Sequence, residues 1–445
     1  MSRVSIIGAG YVGLVTGVCL AEKGHDVVCV EVDAVRRERI ARGEAPIHEA
    51  GLPELLARHT GRGFRAAASL ADAIRDTEVT LIAVGTPFDG RAIDLTHVTR
   101  AADEIGASLA GKDEYHVVAV KSTVVPGTTA GVVRERLEKA SGKRAGRDFG
   151  LGANPEFLTE GRAIDDFMHP DRIVLGGVDE RTLRALGELY AGFTGVPVIR
   201  TNTSTAEMIK YASNSLLATM ISFANELADL CSALGDVDAR DVMHGVHESM
   251  YLSVGEREAR SRAPITSFLE AGCGFGGSCL PKDVSALIAH GATKGVDLRL
   301  LGAVMDVNRA RPERVMAHLR HHLPDLRGRA VAVLGLAFKP DTDDVRESPA
   351  FPIIHRLVDA GARVAAYDPV ANDAARRVLG DAPVRYGASI EETIAGVDAI
   401  VVVTRWAQFA GLAGLVAGRR PAPLVFDARR MLERTAFERY DGIGL

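Results

Sequence analysis

Cysteine is scarce in this chain: there are five in 445 residues, Cys19, Cys29, Cys231, Cys273 and Cys279, and no two form a Cys-x-x-Cys pair. An odd, scattered set of thiols excludes a disulfide framework and suits reduced thiols in a cytoplasmic setting, with no metal site expected. No apolar run approaches about 18 residues, which excludes a membrane-spanning helix. The start, Met1-Ser2-Arg3, passes straight into Val4-Ser5-Ile6-Ile7, so no signal peptide is expected. Clustered positive charge is also missing: the net charge is -5 and the basic residues are scattered, which argues against a nucleic-acid or anionic-membrane surface. Any phosphate bound is therefore expected on a small molecule. Charged residues at 25% and apolar residues at 47% match ordinary globular enzymes, and the length allows two or three domains.

Short apolar runs alternate with helical stretches through the first half: Val4–Ile7, Val27–Val30, Val79–Val84, Val117–Val120 and Ile173–Leu175. That alternation predicts a parallel sheet. From Thr203 to Leu234 helical periodicity runs without a glycine until Gly235, which predicts one long helix. Beyond about Arg311 the alternation restarts, with runs at Ala330–Gly335, Arg363–Asp368 and Ala399–Val403. The second half thus echoes the first in plan, although the glycine spacing is not repeated. The expected fold is α/β: two Rossmann-like parallel-sheet domains joined by a long central helix and a helical dimerisation region.

Gly8-Ala9-Gly10-Tyr11-Val12-Gly13 follows the first strand and opens a helix, and Glu31 ends the next strand 18 residues past Gly13. In such a fingerprint Gly8 allows the tight turn, Gly10 the approach of a pyrophosphate and Gly13 close packing of the helix on the sheet. A carboxylate at Glu31 accepts from ribose hydroxyls and repels a 2′-phosphate, which favours NAD over NADP. Arg36 and Arg37 stand nearby, Arg37 being read as part of a solvated helix face. Two further strand ends, Ala83-Val84-Gly85-Thr86-Pro87 and Lys121-Ser122-Thr123-Val124-Val125-Pro126-Gly127, fall where ligands sit in an open parallel sheet.

Cys279 lies in Gly274-Phe275-Gly276-Gly277-Ser278-Cys279-Leu280-Pro281-Lys282-Asp283, a glycine-rich loop followed by a cation and a carboxylate. Such a setting can expose and activate a thiol. Four further words accompany the Gly10-Tyr11-Val12-Gly13 turn and the cysteine loop: Asn154-Pro155-Glu156-Phe157-Leu158; Glu207-Met208-Ile209-Lys210 with Asn214; Gly335-Leu336-Ala337-Phe338-Lys339-Pro340; and Thr342-Asp343-Asp344-Val345-Arg346-Glu347-Ser348. Together, in this order and over nearly the whole length, they resemble the UDP-glucose/GDP-mannose dehydrogenase family.

The resemblance implies an NAD-binding domain at 1–200, a central helical domain with the cysteine loop at 201–310, and a nucleotide-sugar-binding α/β domain at 311–445. It implies a homodimer or an assembly of dimers, and oxidation of a nucleotide-hexose C6 hydroxymethyl to a carboxylate with two NAD consumed per sugar. Cys279 resembles the family's nucleophile. Lys210 and Asn214, one helical turn apart on one face, resemble the pair that stabilises oxygen charge at C6. Asp283 resembles the water-linked base, and Glu156 with Thr123 the group that positions the hydrolytic water. Gly8, Gly10, Tyr11, Val12, Gly13, Glu31, Arg36, Thr86, Thr123, Glu160, Lys282 and Arg346 fall at cofactor positions. The substrate words cover Phe157, Leu158, Thr159, Glu160, Lys210, Asn214, Phe268, Leu269, Glu270, Ala271, Gly272, Gly276 and Lys339.

Several positions depart from the family pattern. Glu31 replaces the usual Asp, Thr159-Glu160 the usual Arg-Glu, and Arg36 the usual Lys. The segment His247–Thr266 is longer than usual and lacks the Arg-Ile-Gly whose arginine reaches the neighbouring subunit's substrate; Arg257, Arg260 and Arg262 are the candidates to replace it. Phe167-Met168-His169-Pro170-Asp171-Arg172-Ile173 resembles the UDP-glucose branch. Uracil and thymine differ by one methyl, worth about 1–3 kcal/mol in a pocket, so dTDP-glucose stays open beside UDP-glucose, with GDP-mannose behind. A two-electron hydroxyacid dehydrogenase, which needs no cysteine in a glycine loop, and a non-catalytic nucleotide-sugar-binding protein, against which Cys279, Lys210, Asn214 and Asp283 together argue, are the rival classes.

Overall fold

The computed structural model describes residues 1–255 and 261–445. They form two compact units, Met1–Ser213 and Asn214–Leu445.

The first unit is built on an eight-stranded sheet: β1 (Arg3–Ile7), β2 (Asp26–Val30), β3 (Phe64–Ala67), β4 (Val79–Ile82), β5 (Val117–Val120), β6 (Gly150–Ala153), β7 (Ile173–Gly177) and β8 (Val198–Thr201). Alternate side chains serve opposite faces, as a two-residue period requires. Val4, Ile6, Val27 and Cys29 enter one core layer. Ile7, Val28, Val30 and Ile82 enter the other. The order β3-β2-β1-β4-β5-β6-β7-β8 reverses between β1 and β4, which opens a ligand crevice beyond their carboxyl ends.

One strand departs from expectation. Ile173–Leu175, read as part of the parallel series, lies in β7, which pairs antiparallel to β6. A strand buried on both faces is equally apolar read in either direction, so composition carries no sign of its polarity. Small residues allow the reversal: a Cβ on Gly152 would lie 2.7 Å from the Gly176 carbonyl oxygen.

The long helix spans Thr203–Leu234, 32 residues, as the periodicity predicted. Gly235, at φ +80°, takes the left-handed conformation just past its end.

In the second unit the helix Arg299–His322 runs through Pro312. The strand alternation restarts at Ala330, where the sequence placed its first apolar run. After a two-stranded ribbon of β9 (Ser253–Val254) and β10 (Ser261–Arg262) come β11 (Ala330–Leu334), β12 (Arg363–Tyr367), β13 (Val384–Tyr386), β14 (Ala399–Val402), β15 (Leu424–Asp427) and β16 (Tyr440–Gly442). Their order, β13-β12-β11-β14-β15-β16, repeats that of the first six strands of the other sheet. The echo read in the sequence is thus a repeat of topology.

The ligand turn of this second sheet is filled from within. Gly335, at φ +95°, follows β11 as Gly8, at φ +102°, follows β1. The carboxylate of Asp368, just past β12, accepts the amides of Leu336 at 2.7 Å and Ala337 at 3.0 Å, and the Trp406 indole N–H at 3.1 Å. Its other oxygen takes the amides of Val370 and Ala371, both at 3.0 Å. An internal anion occupies the donors that a phosphate would use in a dinucleotide fold.

Candidate active site

The glycine turn of the first unit fits a dinucleotide on steric grounds. A Cβ at Gly8 would meet the Ala83 carbonyl oxygen at 2.8 Å, and one at Gly13 would sit 1.9 Å from the Gly8 carbonyl oxygen. Those two glycines are required by packing. Gly10 has no atom within 4 Å of its missing Cβ, so the chain itself gives no packing reason for glycine there. Room for a ligand's backbone approach does. Glu31 is buried just past β2; its Oε1 accepts the Asp33 amide at 2.9 Å and its Oε2 faces Arg36 Nη1 at 3.5 Å. Arg37, read as a solvated side chain, instead donates Nη1 to the Glu31 carbonyl oxygen at 2.8 Å. It braces the main chain of the residue expected to hold the ribose. Thr86 Oγ1 donates to the Thr123 carbonyl oxygen at 2.9 Å and so joins the loops after β4 and β5.

Behind these loops lies a buried charge cluster. Lys210 Nζ stands 3.0 Å from Glu156 Oε1, with 4% and 7% of the two side chains exposed. Glu156 Oε2 accepts the Leu158 amide at 2.6 Å, which ties the carboxylate to the Phe157–Glu160 run. Burial pushes the Glu156 carboxyl up, but the Lys210 charge, the Leu158 amide and Lys121 outweigh it, and the net direction is down. Lys121 was quoted only at the head of a strand-end loop, without a role of its own. Its ammonium donates to the Asn154 carbonyl oxygen and to Asn154 Oδ1, both at 3.2 Å. Burial pushes it down to about 8; the Glu156 charge opposes that shift and the Lys210 charge adds to it. Phe157 lies beneath two cations, Arg172 at 4.0 Å and Lys210 at 5.5 Å from the ring centre. Glu207 was quoted only as part of a word, yet its carboxylate accepts the Gly127 amide at 2.6 Å and the Thr129 amide at 2.8 Å, anchoring the Thr123 loop to the long helix.

In the second unit Cys279 precedes the helix Leu280–Thr293 as its N-cap residue, with Ser278 Oγ 3.5 Å from its sulfur. Four of the five cysteines are buried; Cys279 is partly exposed. Burial raises the thiols of Cys19, to about 12, and of Cys273. Asp283, one turn into the same helix, is 1% exposed. Its Oδ2 accepts Asn214 Nδ2 and its Oδ1 accepts Lys282 Nζ, each at 2.6 Å. Three of the expected residues therefore form one hydrogen-bonded chain, and Lys282, read as a cofactor contact, spends its ammonium on Asp283.

The cysteine loop is held by a second word of the sequence. A Cβ at Gly276 would fall 2.1 Å from the Glu347 carbonyl oxygen, and one at Gly277 would fall 2.7 Å from the Phe338 ring. The Gly277 amide donates to the Arg346 carbonyl oxygen at 2.9 Å. The Phe338–Glu347 stretch is thus the surface on which that loop is moulded. Arg346 turns its guanidinium to Asp344, at 2.6 Å, and Lys339 is partly buried beside Phe338. In the Phe268–Gly272 stretch, the Gly272 amide donates to Asn225 Oδ1 at 2.7 Å and the Leu269 carbonyl oxygen lies 3.1 Å from His247 Nε2. Glu270 pairs with Arg405. A cavity of about 310 Å³ borders Glu270 and Ala271, its cationic wall including Arg240, Arg262 and Arg405. Arg262 itself is paired with Glu248 at 2.6 Å. Arg257 and Arg260 lie outside the described residues.

Among the described residues no group of three or more His, Cys, Asp or Glu could hold a metal ion, and no helix is long and apolar enough to cross a membrane. Three family models match the chain: the NAD binding domain of the UDP-glucose/GDP-mannose dehydrogenase family at residues 2–194, its central domain at 204–310 and its UDP binding domain at 332–434. The UDP-glucose 6-dehydrogenase AglM of Haloferax volcanii is 45% identical over 97% of both chains. YwqF of Bacillus subtilis, also a UDP-glucose 6-dehydrogenase, is 39% identical over 96% of this chain and 93% of its own. The solved UDP-glucose dehydrogenase of Pyrobaculum islandicum superposes with a TM-score of 0.91 at 39% identity, covering 100% of this chain and 98% of that one. The chain belongs to the UDP-glucose/GDP-mannose dehydrogenase family. It is an NAD-dependent nucleotide-sugar 6-dehydrogenase.

Proposed function

We propose that the enzyme oxidises UDP-glucose to UDP-glucuronate by four electrons, with Cys279 as covalent nucleophile. The observation that carries this reading is the placement of a partly exposed thiol at the N-cap of the helix whose first turn carries a buried carboxylate, Asp283, held by Asn214 and Lys282. NAD, when bound, supplies the hydride acceptor for each of two oxidations. The chain's own residues do the rest. Lys210 and Asn214 stabilise the developing oxygen charge at C6 while the hydroxyl proton leaves toward water linked to Asp283. The Cys279 thiolate adds to the aldehyde carbon, giving a thiohemiacetal, which is oxidised to a thioester. Glu156 with Thr123 orients the water that cleaves it, returning the thiolate and the sugar carboxylate. One alcohol, two NAD⁺ and one water thus give one carboxylate, two NADH and three protons.

The three-part division at 1–200, 201–310 and 311–445 is part of this proposal. Gly8, Gly10, Tyr11, Val12, Gly13, Glu31 and Thr86 serve the cofactor, and the Phe157–Glu160 and Phe268–Gly272 stretches, Gly276 and Lys339 serve the nucleotide-sugar. The cationic cavity beside Glu270 supports an anionic nucleotide there. A homodimer, or an assembly of dimers, with the long helix at its centre is supported by Leu216, Phe223 and Leu230. They recur every seventh residue and are 52%, 48% and 56% exposed. Sparse, unbridged cysteines suit a cytoplasmic enzyme. The test is NADH released per sugar, with UDP-glucose, dTDP-glucose and GDP-mannose compared. Two NADH per UDP-glucose at the highest kcat/KM is the expected result; one NADH per sugar would return the rival two-electron class.

A further inference from the structure

Glu49 belongs to none of the motifs, yet it is 3% exposed and carries a carboxylate, which is costly to bury without donors. Its Oε2 accepts the Gly161 amide at 2.7 Å and also the Tyr11 hydroxyl. Its Oε1 accepts the Ala163 amide at 2.7 Å. The Gly161 amide lies 3.0 Å from the Tyr11 oxygen as well, closing a triangle. These donors come from two places. Tyr11 opens the helix of the glycine turn, and Gly161 and Ala163 directly follow the Asn154–Glu160 run that carries Glu156. Burial and the Glu49 charge raise the Tyr11 hydroxyl, so it remains a proton donor to the carboxylate throughout the working range.

We propose that Glu49 is a positioning residue which locks the dinucleotide turn to the loop behind Glu156–Glu160, so that cofactor and sugar are held in one fixed register. It acts through the Tyr11 hydroxyl and the Gly161 and Ala163 amides. Glutamine at this site keeps one acceptor oxygen and turns an NH₂ toward the Gly161 or Ala163 N–H, so one side of the lock must open. Removing only the Tyr11 hydroxyl leaves both amides on the carboxylate and loosens the turn alone.

E49Q, Y11F and the double variant test this in the full-length protein. The readouts are NAD affinity titrated without sugar, kcat and KM with the nucleotide-sugar that the native enzyme oxidises, and the thermal midpoint. E49Q is expected to weaken NAD binding and to lower kcat by about tenfold each, the scale of one charge-assisted hydrogen bond. Y11F is expected to weaken NAD binding several-fold, and the double variant to be no worse than E49Q, because the hydroxyl acts through the carboxylate. A lowered midpoint with native NAD affinity and native kcat in E49Q would overturn the proposal, as would fully additive losses in the double variant. Should E49Q fail to fold, native NAD affinity in Y11F overturns it alone. The sugar-free titration is independent of Cys279 and of sugar identity, so this inference and the covalent mechanism fail separately.

Discussion

Replacing Glu156 by alanine removes the carboxylate that faces Lys210 and acts on Lys121. In the native chain Lys210 stands 3.0 Å from that carboxylate, with less than a tenth of either side chain exposed. Breaking a buried pair by deleting one partner costs about 3–5 kcal/mol, since the remaining charge has lost its counter-charge without regaining water. Lys121 limits the loss: its ammonium already sits at about 8, and without the opposing Glu156 charge it falls further and sheds its proton. We therefore take the lower end, about 3 kcal/mol. For a unit of this size 1 kcal/mol moves the midpoint by about 2–4 °C, so the unfolding transition should drop by roughly 6–12 °C. E156Q keeps an oxygen for the Leu158 amide and should fall between the alanine variant and the native protein. Calorimetry on the full-length protein reads both. An E156A midpoint within about 2 °C of native would refute a buried Glu156–Lys210 pair.

Three further outcomes follow. Lys121 has a native value of about 8 against 10.5 for an ordinary lysine, so between those limits the unfolded chain binds more protons and native stability rises with pH. K121M should show a flatter stability slope from about pH 8 to 10.5 than the native protein in urea titrations, and an unchanged slope would show that Lys121 is not held neutral. F223E places a charge in the middle of the exposed seven-residue stripe and should convert native dimers to monomers in sedimentation; an active native monomer would end the dimer proposal. E31A should weaken NAD and narrow its advantage over NADP, whereas equal native efficiency with both cofactors would show that Glu31 does not exclude a 2′-phosphate.

The local features of the fold were legible in the sequence because each is forced by a short-range rule. Gly8 is fixed by its left-handed φ of +102° and Gly13 by a contact inside the same turn, and the helix from Thr203 to Leu234 by an unbroken period with a glycine at its end. The direction of β7 was hidden because a strand buried on both faces carries no polarity in its composition. Short or irregular strands such as β3, β8 and β13 gave too little pattern. In the candidate site, residue types were visible but their partners were not. Lys282 beside Asp283 read as a cofactor contact, and only the fold shows its ammonium on that carboxylate. Lys121, Glu207 and Glu49 were missed because their roles depend on pairings 33, 80 and 112 residues apart in sequence. No periodicity reports such distances. A charged residue in an otherwise apolar strand end, as at Lys121, is the one local hint that sequence offered.

The central claim is covalent capture by Cys279, and carboxylate formation by C279A tests it most directly. The variant should bind NAD and nucleotide-sugar with native affinity, since neither depends on the thiol, while acid production falls by at least about a thousandfold. Acid formed by C279A at near the native rate would contradict the account. The aldehyde would then be oxidised as its hydrate, with Asp283 or Glu156 in the leading role.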